Sequence, residues 1–325
     1  MAGVTFMPLA LGRNVMRNLH APPPVLSNVG AFSRRCSFKD FSIPWASSHR
    51  TYSSHNGRNC IIQSQVGSIQ MIAINRPHKR NAVDPETAKY LHEAMQDFEA
   101  DENTSAAVLY GKDGVFCAGF DLSALASGGY QESLVSTADD VQGPMGPTRF
   151  LCSKPVIAAI EGYAVAGGLE LALWCDLRVM DETAILGVFC RRFGVPLVDG
   201  GTVRLPKLIG LSRALDLILT GREVRAKEAL EIGLVNRVCD TGSAVGRALL
   251  LAQEISKFPS ECMRADRMSA YYSSFDASSI QDAIRYEYEN GLKVIEKESI
   301  PGAKNFVSGI GRHGSFNLHK THTKS

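Results

Sequence analysis

A strand-like apolar run over residues 155–160 leads into Ala164-Val165-Ala166-Gly167-Gly168-Leu169-Glu170 and on through Leu171-Ala172-Leu173-Trp174. No other stretch restricts the fold so strongly. Adjacent glycines let backbone approach a ligand closely, and a helix starting there leaves its first N–H groups without intrahelical partners. A second turn of the same kind, Phe116-Cys117-Ala118-Gly119-Phe120-Asp121-Leu122, leaves another short strand. Two such backbone donors, brought together, make an oxyanion hole.

The rest of the pattern supplies a scaffold for them. Residues 61–66 and 69–75 flank Gly67-Ser68 and predict a hairpin. Asp84-Pro85-Glu86 opens a helix, with Asp as the cap, Pro in the first turn and Ala88, Leu91, Met95 and Phe98 at helical spacing. Strands follow at 106–110, 156–160 and 177–180, with helices between them, the signature of parallel strands joined by crossovers. From Ser212 the pattern is helical: 212–219, 226–232, 243–257, 262–272 and 279–297. The expectation is an α/β core over residues 59–250 followed by a helical region over 251–325.

Charge separates off the first 58 residues, which carry seven basic residues and one acid, Asp40. They are also rich in Ser, Asn and Pro. This is the composition of a mitochondrial transit peptide, so the segment is expected to be disordered and the protein to act in the matrix. The remainder holds 28 basic and 32 acidic residues, which implies no basic face for nucleic acid. The predicted helix from Asp84 has one Lys, no Arg and several acids, so it does not suit RNA either. No apolar run is long enough to span a bilayer.

Eight scattered cysteines contain no CxxC pair and no Cys/His cluster, so no metal site and no disulfide framework is expected. All eight histidines lie outside the glycine motifs, leaving a histidine-based triad without its base. Glu170 is the one acid in an otherwise apolar stretch that ends at Asp176. Desolvation there would raise its pKa and suit it to proton transfer. The tail Gly309-Ile310-Gly311-Arg312-His313-Gly314 spells GxGxxG, but no strand precedes it and no helix follows, so it is not read as a nucleotide site.

In order along residues 60–315, several motifs together resemble the crotonase family, the enoyl-CoA hydratase/isomerase superfamily. They are Ile74-Asn75-Arg76-Pro77 with Asn81-Ala82, the two glycine turns, Lys154-Pro155-Val156, Cys175-Asp176, and Gly200-Gly201-Thr202 with Arg204-Leu205-Pro206. The resemblance implies an α/β, ClpP/crotonase-like fold of repeated ββα units with a helical C-terminal trimerisation region, as a homotrimer or hexamer. It implies that Phe120 and Gly167 supply the oxyanion amides and that Glu170 is catalytic. Acyl-CoA binding would fall to His78, Arg80, Ala82, Cys117, Gly119, Asp121, Leu122 and Cys190, with Phe306 at an oligomer interface. Coenzyme A enters as part of the substrate, and no separate cofactor is expected.

The implied activity is a lyase, hydrating a 2-enoyl-CoA or dehydrating a 3-hydroxyacyl-CoA. Family hydratases use two glutamates. The first matches Glu170, whereas the second position holds Cys190, a poor substitute for a carboxylic acid. That departure leaves isomerase or other crotonase chemistry, or non-catalytic acyl-CoA binding, as alternatives. Asp199 is the nearest acid downstream and is expected only to start a helix. Arg191 and Arg192 either recognise a carboxylate on the acyl group or lie at the surface.

Overall fold

The computed structural model describes residues 59–128 and 142–311; the expected transit segment over 1–58 and the end of the GxGxxG tail lie outside them. Strands β1 (Ile61–Val66) and β2 (Ile69–Ile74) form the antiparallel hairpin around Gly67, whose φ of +61° suits a residue without Cβ. β3 (Ala106–Gly111), β4 (Val156–Ile160), β6 (Leu177–Asp181) and β9 (Arg237–Cys239) then add in parallel, giving the order β1-β2-β3-β4-β6-β9.

Helix α1 (Pro85–Ala100) provides the crossover between β2 and β3, and the short α2 (Leu122–Ala126) follows β3. Its cap is the predicted one, with Asp84 accepting from the Thr87 N–H at 2.9 Å. The central strands are buried on both faces, as crossover connections require. Ile72, Ile74, Leu109, Ala158 and Ile160 face α1 and the site helix described below. Met71, Val108, Ile157, Ala159 and Val179 face Ala244, Ala248 and Leu251 of α7 (Ala244–Ile255).

Sequence pattern did not show a second, smaller sheet formed by β5 (Tyr163–Val165), β7 (Ile185–Gly187) and β8 (Glu223–Arg225). β5 and β7 run parallel, and β8 lies antiparallel to β7. This sheet matters because β5 delivers the chain into α3 (Gly167–Trp174). Under the far end of α3 sits Arg178, 2% exposed, donating to the carbonyls of Leu234 (2.9 Å) and Cys175 (2.7 Å). Burial pushes its pKa down, while the carbonyls at the helix C-terminus offer the guanidinium partial negative charge. Arg178→Ala strands those carbonyls without donors, so urea denaturation is expected to show a loss of about 3 kcal/mol. A loss below about 1 kcal/mol would mean that water takes over the bonds.

Beyond the sheets come α4 (Gly201–Ile209), α5 (Leu211–Thr220), α6 (Ala226–Glu231), α7, α8 (Ser260–Phe275), α9 (Ile280–Leu292) and α10 (Ile300–Val307). The stretch predicted as one helix over 279–297 is broken after Leu292, where Ile295–Ser299 forms a π-type turn. Asp176 ties α8 to the core: its Oδ1 accepts from Arg267 (2.8 Å) and Tyr271 (2.9 Å), and its Oδ2 from the Val156 N–H at the start of β4. No described helix is long and apolar enough to cross a membrane.

Candidate active site

The two glycine turns lie against each other. Cys117 donates to the Tyr163 carbonyl at 2.9 Å, and Val165 donates back to the Cys117 carbonyl at 3.1 Å, so the first turn is stitched to β5. A Cβ on Gly119, where φ is +99°, would stand 3.0 Å from the Gly167 nitrogen, and one on Gly168 would overlap the Cys117 carbonyl oxygen. Neither the Phe120 nor the Gly167 N–H meets an acceptor among the described residues. Such groups normally find a partner.

Ala166, which precedes α3, has φ 55° and ψ −127°, a region that residues other than glycine avoid. Its own N–H donates to the Gly187 carbonyl at 2.9 Å, and its carbonyl accepts from Leu169 and Glu170, so both sides of the peptide are held in this geometry. The conformation turns the chain sharply from strand into helix at Gly167. Ala166→Gly is expected to raise stability by about 1 kcal/mol, since relief of 1–3 kcal/mol of strain exceeds the entropy added to the unfolded chain. Urea denaturation showing a loss instead would contradict the strain assigned to this residue.

Glu170, on the first turn of α3, is 2% exposed. Its Oε1 accepts from the N–H groups of Asp199 (2.9 Å) and Gly201 (2.8 Å). Desolvation, with the Asp199 charge adding to it, pushes its pKa up to about 7. Asp199 is equally buried. It does not cap α4, as the sequence suggested: Gly200 holds the cap position, and the Asp199 Oδ1 accepts from the Met145 N–H (3.0 Å) and from the Thr148 hydroxyl. Burial raises its pKa as well.

Phe120, Leu122, Gly167, Glu170, Cys190 and Asp199 all line one cavity of about 330 Å³, together with Met145, Phe189 and Phe193. Cys190 is buried in a 3-10 turn, Phe189–Phe193, and burial and the nearby Glu170 both raise its thiol pKa.

The other predicted binding residues do not line this cavity. Cys117 is fully buried, its thiol pushed up to about 12 by desolvation, and Gly119 shapes the turn from behind. Asp121 works within the fold, accepting from the Ser123 N–H at 3.0 Å and from Arg76 at 3.2 Å. Burial pushes its carboxyl up, but those bonds outweigh it and hold the pKa below the ordinary value. His78 and Arg80 are exposed beside the first turn, where the Arg80 carbonyl accepts from Ala118 at 3.1 Å; Ala82 is buried next to them. Arg191 and Arg192 do not line the cavity. Arg191 donates to the Ile218 carbonyl at 3.0 Å, and Arg192 donates to that of Gly221 and stacks 3.8 Å over Phe189.

Sequence reasoning missed Arg76, which pairs with Asp84 (2.8 Å) and Asp121 and so joins the α1 cap to the first glycine turn. Its only signal was its place in the Ile74-Asn75-Arg76-Pro77 motif. Asn81, fully buried with φ 55°, donates to the Lys112 and Val115 carbonyls and accepts from the Arg76 N–H. No cluster of possible metal ligands occurs among the described residues.

Two abutting glycine turns and a buried carboxyl on one apolar cavity, carried by parallel strands with a helical C-terminal region, define the crotonase fold class. The family model described as enoyl-CoA hydratase/isomerase matches residues 64–307. A crystal structure of an enoyl-CoA hydratase from Mycobacterium tuberculosis superposes with a TM-score of 0.72 at 33% identity, over 77% of this chain and 96% of that one. Enoyl-CoA hydratase EchA19 of the same organism is 34% identical over 62% of this chain and 76% of its own length. The mouse mitochondrial enoyl-CoA hydratase domain-containing protein 2 is 39% identical over 58% of this chain and 64% of its own. The chain belongs to the enoyl-CoA hydratase/isomerase family.

Proposed function

We propose that this enoyl-CoA hydratase-like enzyme adds water across the C2–C3 double bond of a 2-enoyl-CoA, or removes it from the 3-hydroxyacyl-CoA. One observation carries the reading: the Phe120 and Gly167 N–H groups lack acceptors among the described residues and share a cavity with Glu170. A thioester oxygen held between those amides takes up charge as an enolate forms, and each pre-aimed donor is worth roughly 3 kcal/mol in the transition state. Glu170, with a pKa near neutrality, exchanges a proton with the water or the acyl carbon. The mainly apolar wall of the cavity suits an acyl chain. Backbone around His78, Arg80 and Ala82 is the proposed seat of the coenzyme A portion, outside the cavity.

The proposed assembly is a homotrimer or hexamer. On α9, Ile280, Ile284, Tyr288 and Leu292 repeat every four residues and are all exposed in the single chain, as are Phe306 and Val307 on α10. An apolar stripe of that kind suits burial against another subunit. Residues 1–58 are proposed as a presequence for import into the mitochondrial matrix, ahead of a core over 59–250 and the helical region over 251–325. Mitochondrial names among the relatives support this reading.

The test is the purified chain with crotonyl-CoA and longer 2-enoyl-CoAs, followed by loss of the conjugated thioester absorbance. Turnover is expected, and Glu170→Ala is expected to abolish it while acyl-CoA binding by calorimetry persists. Binding without product in the parent chain would favour a non-catalytic acyl-CoA-binding protein.

A further inference from the structure

We propose that Asp199 is a second catalytic residue, holding one proton jointly with Glu170 on the cavity wall and handling the proton transfer for which Cys190 offers no carboxyl group. This rests on the lyase reading above.

The two carboxyls are built as a unit. The Asp199 N–H donates to Glu170 Oε1, so the backbone of one acid grips the side chain of the other, and both line the same cavity. Each has one oxygen fixed by two donors: Oε1 by Asp199 and Gly201, and Oδ1 by Met145 and Thr148. Within hydrogen-bond distance neither Oε2 nor Oδ2 has a donor among the described residues, although the Val198 N–H is near enough to Glu170 to favour its anion, and neither oxygen is a sealed, unpartnered atom. The free oxygen of each acid is therefore available to a ligand in the cavity.

The surrounding charges do not neutralise the pair. Arg204 spends its guanidinium on the carbonyls of Asp199 (2.8 Å) and Thr148 (2.6 Å), and Arg149 acts on Asp199 only through its field. Among the described residues neither carboxylate forms an ion pair, and the Cys190 thiol stays neutral. Both are buried, and the Asp199 charge helps burial push the Glu170 pKa up to about 7, so with one acid ionised the other keeps its proton until near neutral pH.

In hydration, the water oxygen bonds to C3 and the ionised acid takes the released proton. The C2–C3 π electrons move onto the thioester oxygen, held by the Phe120 and Gly167 amides. The enolate then collapses as C2 takes the proton of the other acid. One water is added, and the pair again carries one proton, now on the opposite member. Dehydration runs the same steps in reverse.

Asp199→Asn separates this role from a structural one, because the amide oxygen still accepts from Met145 and Thr148. It is expected to lower kcat for crotonyl-CoA about 100-fold or more, with KM and the thermal midpoint little changed. A kcat within fivefold of the parent overturns the proposal. Independently of turnover, carbon-13 NMR titration of the Glu170 carboxyl, assigned with Glu170→Gln, should show its midpoint fall in Asp199→Asn. An unmoved midpoint overturns the shared proton, even if the parent chain hydrates nothing and the lyase reading has failed on its own.

Discussion

Replacing Glu170 by glutamine is expected to lower kcat on a 2-enoyl-CoA roughly 10³-fold while making the folded chain more stable above pH 7. The two effects have one origin. The glutamine Oε1 still accepts from Asp199 and Gly201, so the local hydrogen bonds survive and only the exchangeable proton is lost. In the parent, a carboxyl whose folded pKa is about 7, against an ordinary 4.5, penalises the fold once it ionises. That penalty is absent below about pH 4.5, grows as pH rises and is complete above about pH 7, at a size on the order of 3 kcal/mol. Urea denaturation across pH 5 to 8 should show the variant gaining on the parent with rising pH. Parallel curves would place Glu170 in a solvated setting and remove the basis for its proton chemistry.

The second large effect is expected from Gly168→Ala. Its new Cβ meets the Cys117 backbone carbonyl, which cannot rotate away, so one glycine turn must push the other. Overpacking of this kind costs about 1–3 kcal/mol, and displacing an amide from the thioester oxygen is expected to lower kcat roughly 100-fold. Gly246→Ala is the control. Gly246 sits within α7 with open space around it, so alanine there should add up to about 1 kcal/mol through helix propensity and leave turnover alone. Equal behaviour of the two variants would show that the contact between the turns carries no constraint.

Where the sequence was legible, local chemistry and tertiary demand coincided. Asp84-Pro85 caps α1 because cap and first-turn preferences are local, and the central strands of the main sheet are apolar because both faces are covered. The smaller sheet was not visible, since β8 is Glu223-Val224-Arg225 with only the valine buried, and three residues carry no period. The long C-terminal pattern concealed a break because Val294 and Ile295 continue the apolar spacing of 280–292 across it. Within the site, Glu170 was found by its isolation among apolar neighbours. Asp199 was missed because an acid before Gly200-Gly201 looks like a helix cap, and its contacts to Met145 and Thr148 join segments some fifty residues apart. Arg76 escaped notice for the same reason.

The cavity wall opposite the glycine turns comes almost wholly from one uninterrupted piece of chain, from Phe189 through Asp199. The Phe120 and Gly167 amides proposed to grip the thioester oxygen belong to other segments, bonded to each other and to β7, and meet this piece through Asp199 and Glu170. Acyl preference can therefore drift by exchange of the ten residues that precede Asp199, while the two acids and the amides that handle charge stay as they are.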